Sequence, residues 1–182
     1  MQLSQLSFEA AMAALDTDPR TAMVAEEVNA QDEGRMTDPV AILQFVMAGR
    51  AKFTLVSKST GARFTFRVSV PKDLEPGRDP IHFVSLLSGQ DNESSYSYFG
   101  YIKRGIFYYG RAKAKVAETA PSCKAFVWFF RMLVTQQIKP LLDAGKVEFW
   151  HKGACGRCGR TLTVPSSIAS GFGPECIGRI GS

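Results

Sequence analysis

Cys155 and Cys158 stand two residues apart in the stretch Cys-Gly-Arg-Cys-Gly-Arg, a spacing that lets one tight turn aim both sulfurs at a single centre. Gly156 and Gly159 suit such a turn, because glycine enters backbone conformations closed to other residues. A third thiolate is at hand in Cys176. It follows Gly173 and Pro174, where proline can open a short helix and put the cysteine in its first turn. His151 lies just before the pair and is the most economical fourth ligand. The expected site is therefore a structural zinc held by His151, Cys155, Cys158 and Cys176. Two other readings stay open: a redox Cys-x-x-Cys pair, and a half-formed site completed by Cys123. A redox pair normally opens a helix after a strand, with no third cysteine arranged behind it.

The same residues carry a resemblance. Cys155-Gly-Arg-Cys158-Gly-Arg-Thr-Leu-Thr, then Pro165-Ser-Ser-Ile-Ala-Ser-Gly, then Gly173-Pro-Glu-Cys176 resembles a zinc-ribbon family found mainly in phage, prophage and plasmid proteins. The spacer between the cysteines matches as well as the cysteines themselves. The resemblance covers the C-terminal segment only, and the family has no established function. It implies a mobile-element origin and metal binding by Cys155, Cys158 and Cys176; His151 is added from spacing alone.

The whole chain, 182 residues with 45% hydrophobic content, is long enough to bury a core without help from a metal. No secretory pattern follows Met1, and the longest apolar run, residues 125–134, is broken by Arg131. A cytoplasmic protein with no membrane partner is expected. Four cysteines, three of them in a metal pattern, agree with a reducing compartment. Charge divides the chain unevenly. Residues 1–39 carry eight acids against two arginines, a net −6, so the overall +5 leaves +11 on the remainder. A basic body with an acidic arm suits a nucleic-acid-binding protein, in which the arm competes with phosphate or recruits another protein; plain solubility charge is the other reading.

Residues 1–37 read as that acidic, partly flexible arm, with a short serine-capped helix from Ser7 and a marginal one over 22–28. Asp38 as cap and Pro39 at the first helical position start the first firm helix, which Gly49 stops. Residues 52–70 form the clearest β signal, two strands about a turn at Gly61. In the second strand Phe64, Phe66, Val68 and Val70 face a core, while Arg63, Thr65, Arg67 and Ser69 face outward. Such an outward row donates hydrogen bonds well to phosphate oxygens, and an ordinary solvated face looks the same. His82, alone on a strand, reads as structural.

Two aromatic runs follow, Tyr96 to Ile102 and Ile106 to Arg111, joined by the basic turn Lys103-Arg-Gly105. Alternation puts Tyr96 and Tyr98 on one face and Phe99 and Tyr101 on the other. Aromatics among Lys103, Arg104, Arg111, Lys113 and Lys115 are the composition of a single-strand platform, where rings stack on bases and cations neutralise the backbone. Arg63, Arg67, Tyr101, Lys103, Arg104, Tyr109 and Arg111 are the candidate nucleic-acid-binding residues. Tyrosines packed in a β core are the competing reading.

Pro121 opens a nearly surrounded helix, with Cys123 a small buried residue near its start, and residues 147–151 form a strand that delivers the chain to the cysteines. The fold expected is α+β: an antiparallel sheet of about four or five strands, one or two packed helices and a C-terminal zinc-ribbon-like module. The segments are residues 1–37, 38–148 and 149–182. No Gly-rich phosphate loop, Ser/His/Asp set or deaminase motif is present, and four protein ligands would leave zinc no open position, so an enzyme is not expected. The first function expected is a phage- or plasmid-type protein that binds nucleic acid, single strands favoured. The second is an interaction factor for a host or replication protein.

Overall fold

A computed structural model describes residues 34–73 and 77–180. The two helices expected near Ser7 and over 22–28 lie outside the described residues. The described chain is α+β. Its elements, in order, are β1 (Arg35–Met36), α1 (Pro39–Val46), β2 (Arg50–Ser57), β3 (Arg63–Ser69), β4 (His82–Leu87), β5 (Tyr96–Lys103), β6 (Ile106–Tyr109), α2 (Pro121–Val134), α3 (Lys139–Asp143), β7 (Val147–His151), α4 (Pro165–Ser170) and α5 (Pro174–Ile177). The strands form one antiparallel sheet in the order β1-β7-β2-β3-β4-β5-β6.

Local chemistry sets the element ends. The Asp38 carboxylate accepts from the backbone N–H groups of Val40 and Ala41 at 3.1 and 3.3 Å, so α1 begins where its first donors find an acceptor. Gly61, at φ 72°, turns β2 into β3. Phe64, Phe66 and Val68 then point inward on alternate residues. Across the same face lie Phe53, Leu55 and Phe149, all buried, and α2 covers them with Phe126, Phe129 and Leu133. Phe53 stacks on Phe149 with ring centroids 4.7 Å apart, and Phe66 meets Phe126 at 5.2 Å. Burying each such ring contributes about 1.5–3 kcal/mol, so this layer between sheet and α2 is the main source of stability.

The two edges of the body differ from expectation. Arg35 and Met36, read as part of the arm, pair with Trp150 and Phe149 of β7. β7 in turn pairs with β2 and supplies Phe149 to the core, so the boundary set at residue 149 falls inside a central strand. Seven strands form in place of four or five, because the two-residue β1 and the late β7 join a sheet otherwise built from residues 50–109.

The other sheet face carries Arg35, Trp150, Lys52, Thr65, Arg67, Phe83, Tyr96, Tyr98, Tyr101 and Tyr108, as the strand registers require. The helix α2 lies on the opposite face, and a 3-10 turn, Arg111–Lys113, borders this one beside Tyr98. The loop before β5 leans onto one part of it, where the Glu93 carboxylate meets the Lys52 ammonium at 2.6 Å.

Candidate metal centre and nucleic-acid interface

The cysteine turn begins directly after β7. Ala154 bridges to Thr161, Cys155 N–H donates to the Arg160 carbonyl at 2.8 Å, and Gly159 takes φ 78°, which together close a knuckle around residues 155–159. Cys176 stands in α5, opened by Pro174, and its N–H donates to the Gly173 carbonyl at 2.9 Å. The Sγ atoms of Cys155, Cys158 and Cys176 all lie within 4.8 Å of one another. Thiolates on one tetrahedral zinc would stand about 3.8 Å apart, so the three sulfurs need only a small adjustment to share an ion. All three are free thiols, and the Cys155–Cys158 pair lies on a turn and does not open a helix as a redox pair would.

Electrostatics at the cluster favour one charge. Burial opposes ionisation of Cys155, yet the backbone N–H groups of Cys158, Gly173 and Arg157 outweigh it and bring the thiol down to about 7. Cys176 is pushed up, first by desolvation and then by sharing its proton and its field with the other two sulfurs. Cys155 and Cys176, shifted in opposite directions, are suited to a divalent cation, which supplies the opposite charge.

His151 is not brought into this group. Gly153 N–H donates to its Nδ1 at 3.0 Å, and its Nε2–H donates to the Ile168 carbonyl at 2.6 Å, so both ring nitrogens are engaged. The ring lies 5.5 Å from that of Phe45 and is buried, and burial pulls its pKa down. His151 is thus a peg that fastens the cysteine segment to the sheet. Its spacing suggested a ligand because nothing in sequence marks the Ile168 carbonyl as its partner. The expectation that four protein ligands close the site rested on His151, and the described residues supply three. Cys123, the other possible completion, is buried on α2 outside the cluster, where burial and then Glu118 push its thiol up to about 11. The segment is packed closely: a Cβ at Gly156 or Gly171 would come within 2.8 or 2.6 Å of Phe45 Cδ2.

The second candidate site lies at the far end of the sheet. β5 contains a bulge opposite Val84 and Ser85, so Ser85 faces Tyr98 while Val84 faces Gly100. The extra residue, Phe99, goes into the core, and Tyr98 and Tyr101 end on the same face. This overturns the simple alternation that put them on opposite faces. The Arg104-Gly105 turn has positive φ at both residues, 51° and 73°, the I′ geometry that fixes Tyr101 opposite Tyr108. Their rings stack at 5.2 Å, and Phe83 meets Tyr98 edge-on at 6.0 Å. A groove of about 1030 Å³ is lined by these four rings together with Tyr109, Arg111, Lys113 and Glu118. Phe83 and Tyr108 are 38% and 42% exposed, enough for a ligand to reach their faces.

The seven candidate residues therefore divide. Tyr101, Tyr109 and Arg111 share the groove. Tyr109 enters it from the helix side of the sheet, where its hydroxyl donates to the Val116 carbonyl at 2.9 Å, so it does not offer a free ring face as Tyr101 does. Lys103 is exposed at the end of β5. Arg104 is paired with Asp79 at 2.7 Å. Arg67 lies over the Tyr96 ring at 4.4 Å, and Arg63 sits at the opposite end of β3 from Ser69, the residue that pairs with Phe83. Phe83, Tyr98 and Tyr108 were missed as site residues, while Lys113, one of the platform cations, does line the groove. A two-residue turn at Arg104-Gly105 was the available signal for Tyr108, since it alone sets the β5–β6 register; the bulge at Phe99 left none.

No helix among the described residues is long and apolar enough to cross a membrane. No curated protein and no solved structure matches the chain. A family described as "Family of unknown function (DUF6011)" matches residues 148–181, the segment that holds the three cysteines.

Proposed function

We propose that the protein binds nucleic acid, single strands in preference to duplex, as a cytoplasmic protein of phage or plasmid type, and that Cys155, Cys158 and Cys176 hold a structural zinc. One observation carries the first part. The sheet face opposite α2 gathers Phe83, Tyr98, Tyr101 and Tyr108 around one groove with Arg111 and Lys113 at its margin. Bases stack on such rings whatever their sequence, while cations beside them neutralise the phosphates. Duplex bases are already stacked on each other and cannot use the rings, which is why a single strand is the better ligand.

The donor set supports zinc in particular. Three soft thiolates favour zinc over magnesium or calcium, which prefer oxygen ligands. Bound there, zinc would join the knuckle to α5 and so hold the last segment together; the fold of the sheet does not depend on it. Competition between a labelled single strand and unlabelled duplex of the same sequence tests the reading. Displacement by single strand at lower concentration than by duplex supports it. Binding to neither, with capture of a protein that survives nuclease treatment, favours the interaction factor for a host or replication protein.

A further inference from the structure

We propose that the bound strand does not stop at the sheet face but continues around the β6 edge into a second subsite between β6 and α2, where Lys124 and Arg131 take its phosphates. This rests on the nucleic-acid reading above. A cavity of about 430 Å³ lies there, lined by Phe107, Tyr109, Val127 and Trp128 with Lys124 and Arg131. It shares Phe107, Tyr109 and Glu118 with the groove on the sheet face, so the two adjoin at the edge strand. Its volume falls in the range that encloses a small ligand, enough for one base and its sugar.

Charge favours a polyanion along this path. Arg111 and Lys113 border the first groove and Lys124 and Arg131 the second. None of these four cations is paired with a carboxylate among the described residues, whereas Lys52, Arg104 and Lys139 are held by Glu93, Asp79 and Asp143. Lys124 and Arg131 are two turns apart on α2, about 10 Å along its axis, and both are exposed, so they form a two-cation row along the helix. Glu118, at the junction, repels phosphate but accepts hydrogen bonds from base amino groups. It therefore turns bases toward the groove and leaves the backbone to the cations. Val127, 41% exposed between Lys124 and Arg131, supplies apolar contact for a sugar or a base edge.

The test is a length series of labelled oligo-dC, from about 4 to about 16 nucleotides, measured by anisotropy on the full chain. Wild type should gain affinity with length until both grooves are filled. Lys124→Ala with Arg131→Ala should leave the shortest oligonucleotide nearly unaffected, weaken the longest about tenfold, and reduce the salt slope by about 1.4, the counterions of two phosphate contacts. Both side chains point to solvent, and an unchanged unfolding midpoint would establish that the double variant is folded. Wild-type affinity of that variant for every length would overturn the second subsite while leaving the sheet-face reading intact. Absence of binding by wild type at any length, even at low salt, would overturn both.

Discussion

Tyr101 and Tyr108 face each other across the β5–β6 pairing with their rings 17° from parallel and centroids 5.2 Å apart. On the face away from α2 such a pair has one ring surface buried in the stack and another turned outward, an arrangement that a base can extend. Tyr101→Ala should cost roughly 1–3 kcal/mol of single-strand affinity with little change in salt slope, as expected when a stacking partner but no phosphate contact is lost. Anisotropy at several salt concentrations reads both quantities. Equal affinity of variant and wild type would place the strand elsewhere.

The cysteine cluster and His151 make opposite predictions under substitution. Purified protein should carry about one zinc per chain, and Cys158→Ser should release it. His151→Gln should keep the metal but lower stability by about 1–3 kcal/mol, because the amide cannot reproduce both the bond to the Ile168 carbonyl and the one from Gly153 N–H in the ring's geometry. Metal analysis beside urea unfolding distinguishes them. Loss of zinc from folded His151→Gln would show that the imidazole is a ligand after all.

Packing of the cysteine segment against α1 has its own test. Gly171 takes φ 75°, and its added Cβ would come within 2.6 Å of a Phe45 ring carbon. Gly171→Ala therefore combines left-handed strain with overpacking and should destabilise by roughly 2–4 kcal/mol. Gly61→Ala, also left-handed but with open space around its Cβ position, should cost less. A reversed order of the two unfolding midpoints would contradict the packing described.

Much of this architecture was legible in sequence and some was not. The alternation of Phe64, Phe66 and Val68 against Arg63, Thr65 and Arg67 reads directly as a strand with one buried face, because a period of two leaves no other choice. Asp38-Pro39 and Pro121 marked two helix starts for equally local reasons. The pairing of Arg35 and Met36 with β7 could not be read, since a two-residue strand has no period and its partner lies more than a hundred residues away. The cysteines were legible because their chemistry constrains spacing. The role of His151 was not, because its ring is satisfied by a backbone carbonyl, and every residue has one of those.

His82 gives a pH prediction. It is buried, its Nε2–H donates to the Met47 carbonyl at 2.9 Å, and burial lowers its pKa, partly offset by the carbonyls of Met47 and Pro80. The unfolded chain, with histidine near 6.5, then takes up a proton before the native state does. Its contribution is fully present above about pH 6.5 and is lost as pH falls below that value toward the native pKa. Urea midpoints at about pH 7.5 and pH 5.5 should differ less for His82→Gln than for wild type. Equal differences would mean that His82 does not carry the acid sensitivity.

The most direct test of the nucleic-acid account is the affinity of wild-type protein for a labelled single strand as a function of salt. Neutralisation of about three to four phosphates by the cations of the two grooves, Arg111, Lys113, Lys124 and Arg131, predicts a linear fall of log affinity against log salt with a slope of about −2 to −3. Binding that is unaffected by salt, or no binding to single strands at low salt, would contradict it.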